Sequence, residues 1–234
     1  MDNGKLILVP TPIQEGLPLE PTALEMIKSN LQNDKVIFCV EDIKPARKRW
    51  LQWGLPREKI DELVCFNEHT QEDLSKELIQ KLKCGYIIFI MSDGGLPAFC
   101  DPGQKFLKLC HHNKIKVTST PFPNSIALAL ALSGIEHNRF YFAGFPPRQK
   151  EARESFLKEL TERNETIVLM DAPYRMSKLC QELSKMNPSQ YAFLAIELNG
   201  DDEKLIYGKI GDLATQTSQQ KAEFILILDS AKRK

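Results

Sequence analysis

Four short segments of this chain carry residue types that can bind or activate a ligand: Pro10-Thr11-Pro12, Glu41-Asp42, Glu68-His69 and Ser92-Asp93-Gly94-Gly95. The last opens the richest stretch. Ser92, Asp93, Gly94, Gly95, Pro97, Asp101, Pro102 and Gly103 crowd into twelve positions. Paired glycines let backbone approach a ligand closely, and prolines fix the path of a loop. The plainer explanation is a rigid strand-to-helix turn in which Asp93 and Asp101 cap backbone amides, since helix starts favour such residues.

Each segment follows an apolar run that reads as a strand. Residues 5–9, 36–40, 63–66 and 86–91 show no polar alternation, as expected of strands buried on both faces. A fifth strand is expected over 116–118. Helices are expected between them, over about 21–32 and 45–53, from an N-cap at Thr70 with Asp73 three residues on, and from about 103. This βαβαβαβαβ order predicts a doubly wound parallel sheet. All four polar segments then lie on one rim, where open α/β sheets bind ligands.

Thr120 to Asn124 is a stiff connection, so the boundary is placed at 120–123, between an N-terminal α/β domain over 1–119 and a C-terminal α/β domain over 124–234. Residues 125–133 form a very apolar segment expected as a helix buried against sheet. Strands are expected at 140–144, 167–170, 192–198, 205–209 and 224–228, with a basic loop around Arg148 and Lys150, a charged helix to about Arg163, and a short helix near Leu213. Strict alternation is missing here, which predicts a mixed, partly antiparallel second sheet. Trp50 and Trp53, three apart on a helix, are expected to pack in a core or an interface, against the alternative of stacking on bases.

Composition narrows the function. Among 234 residues, 31 basic side chains balance 31 acidic ones, so no global field draws in nucleic acid. The six cysteines, Cys39, Cys65, Cys84, Cys100, Cys110 and Cys180, show no CxxC spacing and no grouping with histidine, so they are expected as free thiols and no metal site is expected. No apolar run reaches membrane length. A soluble, cytoplasmic protein without membrane or DNA partners is the expectation.

Several segments together resemble the SAM-dependent tetrapyrrole methylase superfamily, and within it the ribosomal RNA small subunit methyltransferase I family. Leu8-Val-Pro-Thr-Pro-Ile13 is similar to that family's VPTPIGN-like opening. Ser92 to Gly103, reading SDGGLPAFCDPG, resembles SDAGTPLISDPG. Asn138-Arg-Phe140 and Gly144-Phe145-Pro146 look like its DRF…GFLP stretch. Val40-Glu41-Asp42, Asn67-Glu68 and Glu223 to Ile227 match further segments in order. Gln14, Phe122 and Ala222 stand where the family has glycine, Asp171 where it has glutamate and Tyr174 where it has histidine.

The resemblance implies two α/β domains with S-adenosylmethionine (SAM) in the cleft between them, and a homodimer. It implies cofactor contacts at Pro10, Asp93, Gly94, Gly95, Leu96, Ser125, Ile126, Met170 and Ala195. For Ser125 the alternative is a helix N-cap; for Met170 and Ala195 it is ordinary core. Methyl transfer to a hydroxyl needs alignment and a proton sink. The candidate catalytic acids are Glu41, Asp42 and Glu68, each of which could instead be a cap or a solvated turn residue. Arg47, Arg148, Lys150, Arg153 and Arg175 are candidates for contacting RNA phosphates, against the alternative of a solvated charged surface. The implied activity is methylation of a ribose 2'-hydroxyl of small-subunit ribosomal RNA. The alternatives are a methylase of a tetrapyrrole or other small molecule, and a SAM-binding protein without catalysis, which Gln14 and Phe122 motivate.

Overall fold

A computed structural model describes residues 4–14, 16–99, 101–122, 124–217 and 221–230. Cys100, and Pro123 of the expected connection, lie outside the described residues. The chain divides into two compact units, Met1–Phe122 and Pro123–Lys234.

The first unit contains β1 (Lys5–Val9), α1 (Pro21–Asn30), β2 (Val36–Val40), α2 (Ile43–Gln52), β3 (Val64–Cys65), α3 (Gln71–Lys83), β4 (Ile87–Met91), α4 (Gln104–His112) and β5 (Lys116–Ser119). The strands form one sheet in the order β3-β2-β4-β1-β5, and every pairing is parallel. The unbroken apolar runs feed both faces. Ile7, Val9, Phe38, Val40, Phe89 and Met91 pack under α1 and α2. Leu6, Cys39, Ile88 and Ile90 pack under α3 and α4. Trp50 is buried, stands edge-on to Phe38, and donates its indole N–H to the Pro56 carbonyl at 2.8 Å. Trp53 is buried in the same cluster, so both tryptophans belong to the core.

Two local expectations need correction, and a third holds by position through a different bond. The third strand is only Val64–Cys65, preceded by a 3-10 turn over Arg57–Glu62. The second helix starts at Ile43, because Asp42 caps it by accepting the Lys44 N–H at 2.8 Å. Thr70 does occupy the N-cap of α3, but its hydroxyl makes no capping bond. It donates to the Cys65 carbonyl at 2.9 Å and accepts the Asn67 N–H at 3.0 Å, closing the turn behind it.

The second unit contains α5 (Ser125–Ser133), β6 (Phe140–Gly144), α6 (Lys150–Thr161), β7 (Thr166–Leu169), α7 (Met176–Met186), β8 (Tyr191–Ile196), β9 (Lys204–Lys209), α8 (Ile210–Gln216) and β10 (Phe224–Leu228). Its sheet runs β6-β7-β10-β8-β9; β6 and β7 are parallel and the other pairs antiparallel. Helices α6, α7 and α8 cover one face. Helix α5 covers the other, burying Ile126, Ala129 and Leu130 against Val168, Phe193, Ala195, Ile225 and Ile227. Cys39, Cys65, Cys84, Cys110 and Cys180 are free thiols. No helix among the described residues is long and apolar enough to cross a membrane.

Candidate functional site

The carboxyl ends of the first sheet are tied together by a chain of hydrogen bonds. After β1, Pro10 offers no backbone donor and the next residue leaves the sheet. Thr11 and Gly95 then form an isolated antiparallel bridge, with Thr11 N–H to Gly95 O at 2.9 Å and Gly95 N–H to Thr11 O at 2.8 Å. The buried Thr11 hydroxyl donates to the Ser92 carbonyl at 2.9 Å, and the Ser92 hydroxyl donates to the Gly95 carbonyl at 3.0 Å. Gly95 has φ +95°, a conformation that disfavours any side chain. The loops after β1 and β4 are therefore one locked unit.

The acids at the end of β2 join it. Asp93 N–H donates to Glu41 Oε2 at 3.1 Å, and Asp42 N–H donates to Asp93 Oδ1 at 3.4 Å. The Glu41 carbonyl accepts from Cys65 Sγ at 3.3 Å and Asn67 Nδ2 at 3.4 Å, which brings in the end of β3. Asn67 Oδ1 in turn accepts the N–H groups of His69 and Thr70. From α2, the buried Arg49 reaches across and donates through Nη1 to the Pro12 carbonyl at 2.5 Å.

This cluster is short of positive charge. Burial, then the neighbouring Glu41 carboxylate, pushes the Asp93 carboxyl from its ordinary 3.8 to about 6, although Arg49 pulls the other way. Burial, then Glu41 and Asp93, pushes Asp101 to about 7. The Cys65 thiol is raised by burial and by Asp42 and Asp93. Among the described residues no three His, Cys, Asp or Glu side chains group as metal ligands. Crowded carboxylates that hold their protons this tightly suit a cationic ligand or a proton acceptor working near neutral pH.

The same crowding predicts a stability trend. Between pH 4 and 7 the folded protein binds more protons at Asp93 and Asp101 than the unfolded chain does, so stability falls as pH rises through that window. Both carboxyls are partly solvated, so the loss is expected to total about 1–2 kcal/mol rather than the full value of the shifts. Glu20 and Glu72, whose carboxyls are held low by hydrogen bonds, act oppositely but below their ordinary 4.5. Thermal melts of the ligand-free protein from pH 4.5 to 8 check this; a midpoint that climbs across the range contradicts it.

The expected site residues separate clearly. Glu41, Asp93, Gly94, Gly95 and Leu96 lie together on the locked rim with Pro10. Asp42 is there too, but one of its oxygens caps α2. Glu68 stands in solvent and pairs with the equally exposed His69 at 3.4 Å, which is the solvated-turn alternative. Arg47 is exposed on α2. In the second unit, Ser125 follows the actual N-cap, Asn124, whose side chain accepts the Ala127 N–H at 3.0 Å. Ile126 and Ala195 point into the core under α5, and Met170 is half-buried beside it. Arg148 is exposed in the loop after β6, and Lys150 is exposed at the first position of α6. Arg175 is mostly covered and lies over the Tyr174 ring at 5.4 Å.

Arg153 is a correction. Its side chain is 3% exposed and bonded to Asp171 and Glu182, each at 2.7 Å, so it holds the unit together and does not face RNA. Two residues outside the expected site set, Arg49 and Asp101, join the rim. Arg49 stands four residues before the buried Trp53, and that spacing marks it as turned inward. Asp101 does not sit at the N-cap of α4, which is Gly103, without a side-chain capping bond.

Comparison with known proteins agrees with this architecture. The curated ribosomal RNA small subunit methyltransferase I of Xylella fastidiosa is 29% identical over 97% of this chain and 82% of its own length. The protein of that name from Thermotoga maritima is 28% identical over 93% of this chain and 94% of its own. That from Bacillus subtilis is 29% identical over 98% and 76%. Among solved structures, a diphthine synthase superposes with a TM-score of 0.69 at 12% identity, covering 97% of this chain and 90% of the other. Uroporphyrin-III-C-methyltransferase from Thermus thermophilus gives 0.56 at 17%, covering 97% and 93%. At such identities the structural likeness establishes the fold alone. The model of the tetrapyrrole (corrin/porphyrin) methylases matches residues 23–214. By that match, which takes in most of both sheets and the acidic rim, the chain belongs to the tetrapyrrole methylase family.

Proposed function

We propose that this protein is a SAM-dependent methyltransferase that modifies small-subunit ribosomal RNA, at a ribose 2'-hydroxyl. What carries this reading is near full-length similarity to curated bacterial proteins that share that one printed name, T. maritima's over 94% of its length. The charge at the rim supports the cofactor. Glu41, Asp93 and Asp101 crowd together with too little positive charge, and SAM brings an ammonium and a sulfonium. Pro10, Asp93, Gly94, Gly95 and Leu96 would hold it from the first unit, with the glycines leaving backbone accessible. For Ser125, Ile126, Met170 and Ala195, the assignment as cofactor contacts is the one the family resemblance implies.

When bound, SAM supplies an electrophilic methyl group. The chain's own task is to fix the acceptor in line and to take up its proton. Asp101, with a carboxyl near neutrality, and Glu41 beside it are the acids placed for that proton; Asp42 and Glu68 are engaged elsewhere. We further take the protein to be a cytoplasmic homodimer, divided at 120–123, that binds neither DNA nor membrane. Support for self-association comes from the edge of the second sheet, where Tyr191 and Tyr207 stack at 5.7 Å and Leu205 is also exposed.

The test uses methyl-labelled SAM, the purified protein and fractionated lysate of a strain lacking its gene. Label is expected in small ribosomal subunits and, after alkaline hydrolysis, in resistant dinucleotides, because a 2'-O-methyl group blocks cleavage. Label in the small-molecule fraction would favour the tetrapyrrole or small-molecule acceptor. SAM binding with no label in any fraction would favour a binding protein without catalysis.

A further inference from the structure

The second unit has a rim of its own. Strands β6 and β7 run parallel, and their last rung is Met170 N–H to Gly144 O at 3.0 Å. Beyond it both segments leave the sheet. Gly144, at φ +66°, turns the first loop outward into Phe145-Pro146-Pro147-Arg148. The second loop runs through Asp171 into the short turn Pro173–Arg175. Each loop exposes one aromatic ring: Phe145 is 49% exposed and Tyr174 is 59% exposed. Single exposed apolar residues are ordinary, but these two follow neighbouring strands, Phe145 directly after β6 and Tyr174 in the turn five residues after β7, each beside proline. Arg175 lies over the Tyr174 ring, which restrains that ring further.

The exposed charges that follow Phe145 are Arg148 and Lys150, with Glu151 next after Lys150 in the first turn of α6. The acid of the second loop, Asp171, is 3% exposed and engaged with Arg153. Rigid aromatic faces flanked by cations match one kind of ligand: unpaired nucleotides, whose bases stack on the rings while their phosphates meet the cations. Preorganised loops lose little entropy on binding. Duplex RNA fits poorly, because its bases are already stacked on each other.

We propose that Phe145 and Tyr174 form a stacking platform for unpaired bases of the RNA substrate, with Arg148 and Lys150 on its phosphates. This rests on the ribosomal RNA reading above and names which part of such a substrate the second unit grips.

The experiment measures affinity of the full-length protein for a labelled single-stranded oligoribonucleotide of small-subunit ribosomal sequence, and for the same strand annealed to its complement, across a salt series. The wild type should prefer the single strand. The double variant Phe145→Ala, Tyr174→Ala should lose about tenfold or more in affinity for it at every salt concentration. The variant Arg148→Ala, Lys150→Ala should lose affinity mainly at low salt, with a salt slope shallower by about 1.4. Phe145→Tyr should bind as the wild type does, and all variants should keep the wild-type melting temperature and SAM affinity. Wild-type affinity in the double aromatic variant overturns the platform; if ribosomal RNA is still methylated, the functional reading survives it. A wild type that neither binds nor methylates RNA removes both. A double variant whose oligomeric state changes while its RNA affinity does not would mean that the rings cover a second copy of the chain, which also overturns the proposal.

Discussion

Asp93→Ala is expected to weaken SAM binding at least about tenfold, as loss of one hydrogen bond to a charged group does. Calorimetric titration of wild type and variant checks it. The usual objection, that the variant fails by misfolding, can be answered from the structure. Asp93 is held above its ordinary carboxyl range by burial and by Glu41, so in the ligand-free protein it is a source of repulsion. The side chain gives up one long bond, the 3.4 Å contact from Asp42 N–H, while the backbone bond from Asp93 N–H to Glu41 does not depend on its identity. The melting temperature of the ligand-free variant should therefore hold or rise, and the fall of stability with pH should flatten. Asp101, relieved of one neighbour, should titrate lower. A variant that binds SAM as well as wild type would make Asp93 a turn residue and remove the rim from the cofactor site.

The strand runs and this rim were open to sequence reading, for a physical reason. Residues 5–9, 36–40 and 87–91 are buried on both faces and so carry no polar alternation, and their parallel order puts every polar strand end on one side. What could not be read are contacts that depend on distant partners. Thr70 looks like a capping residue, but its hydroxyl closes the turn onto Cys65. Glu68 and Glu41 both follow strands; only tertiary structure leaves one in solvent and gives the other the Asp93 amide. Strand β3 has two residues, too few for any periodic signal. Arg49 could have been placed inside by helical spacing. Arg153 could not, since a charged helix conceals that its one arginine meets acids 18 and 29 residues further along.

That hidden arginine gives the largest stability effect. Arg153→Ala is expected to destabilise the protein by about 3–5 kcal/mol, because removing one partner leaves the other charges buried without compensation. Arg153 projects from α6, its Nη2 2.7 Å from Asp171 Oδ2 at the end of β7 and its Nε 2.7 Å from Glu182 Oε2 on α7. Burial alone would lower the guanidinium's pKa; the hydrogen bonds from it to Glu182 and Asp171 reverse that, and the net shift is upward. Glu182 is a quarter exposed and has Lys178 at 3.8 Å, so it can turn to water and that partner. Asp171 has no such exit. It is 3% exposed, and Arg175 at 3.9 Å is its remaining cation. The penalty should therefore fall mostly on Asp171, and the double variant Arg153→Met, Asp171→Asn should recover much of the loss, because the amide oxygen can still accept the Ala172 N–H that Asp171 Oδ1 now accepts at 2.8 Å. The single variant should melt roughly 10 °C lower. The measurement also decides what Arg153 is for. A phosphate-binding arginine would lose RNA affinity at unchanged stability, whereas a residue that anchors the loop carrying Tyr174 should lose stability first, with RNA affinity returning in the double variant once the loop is held again.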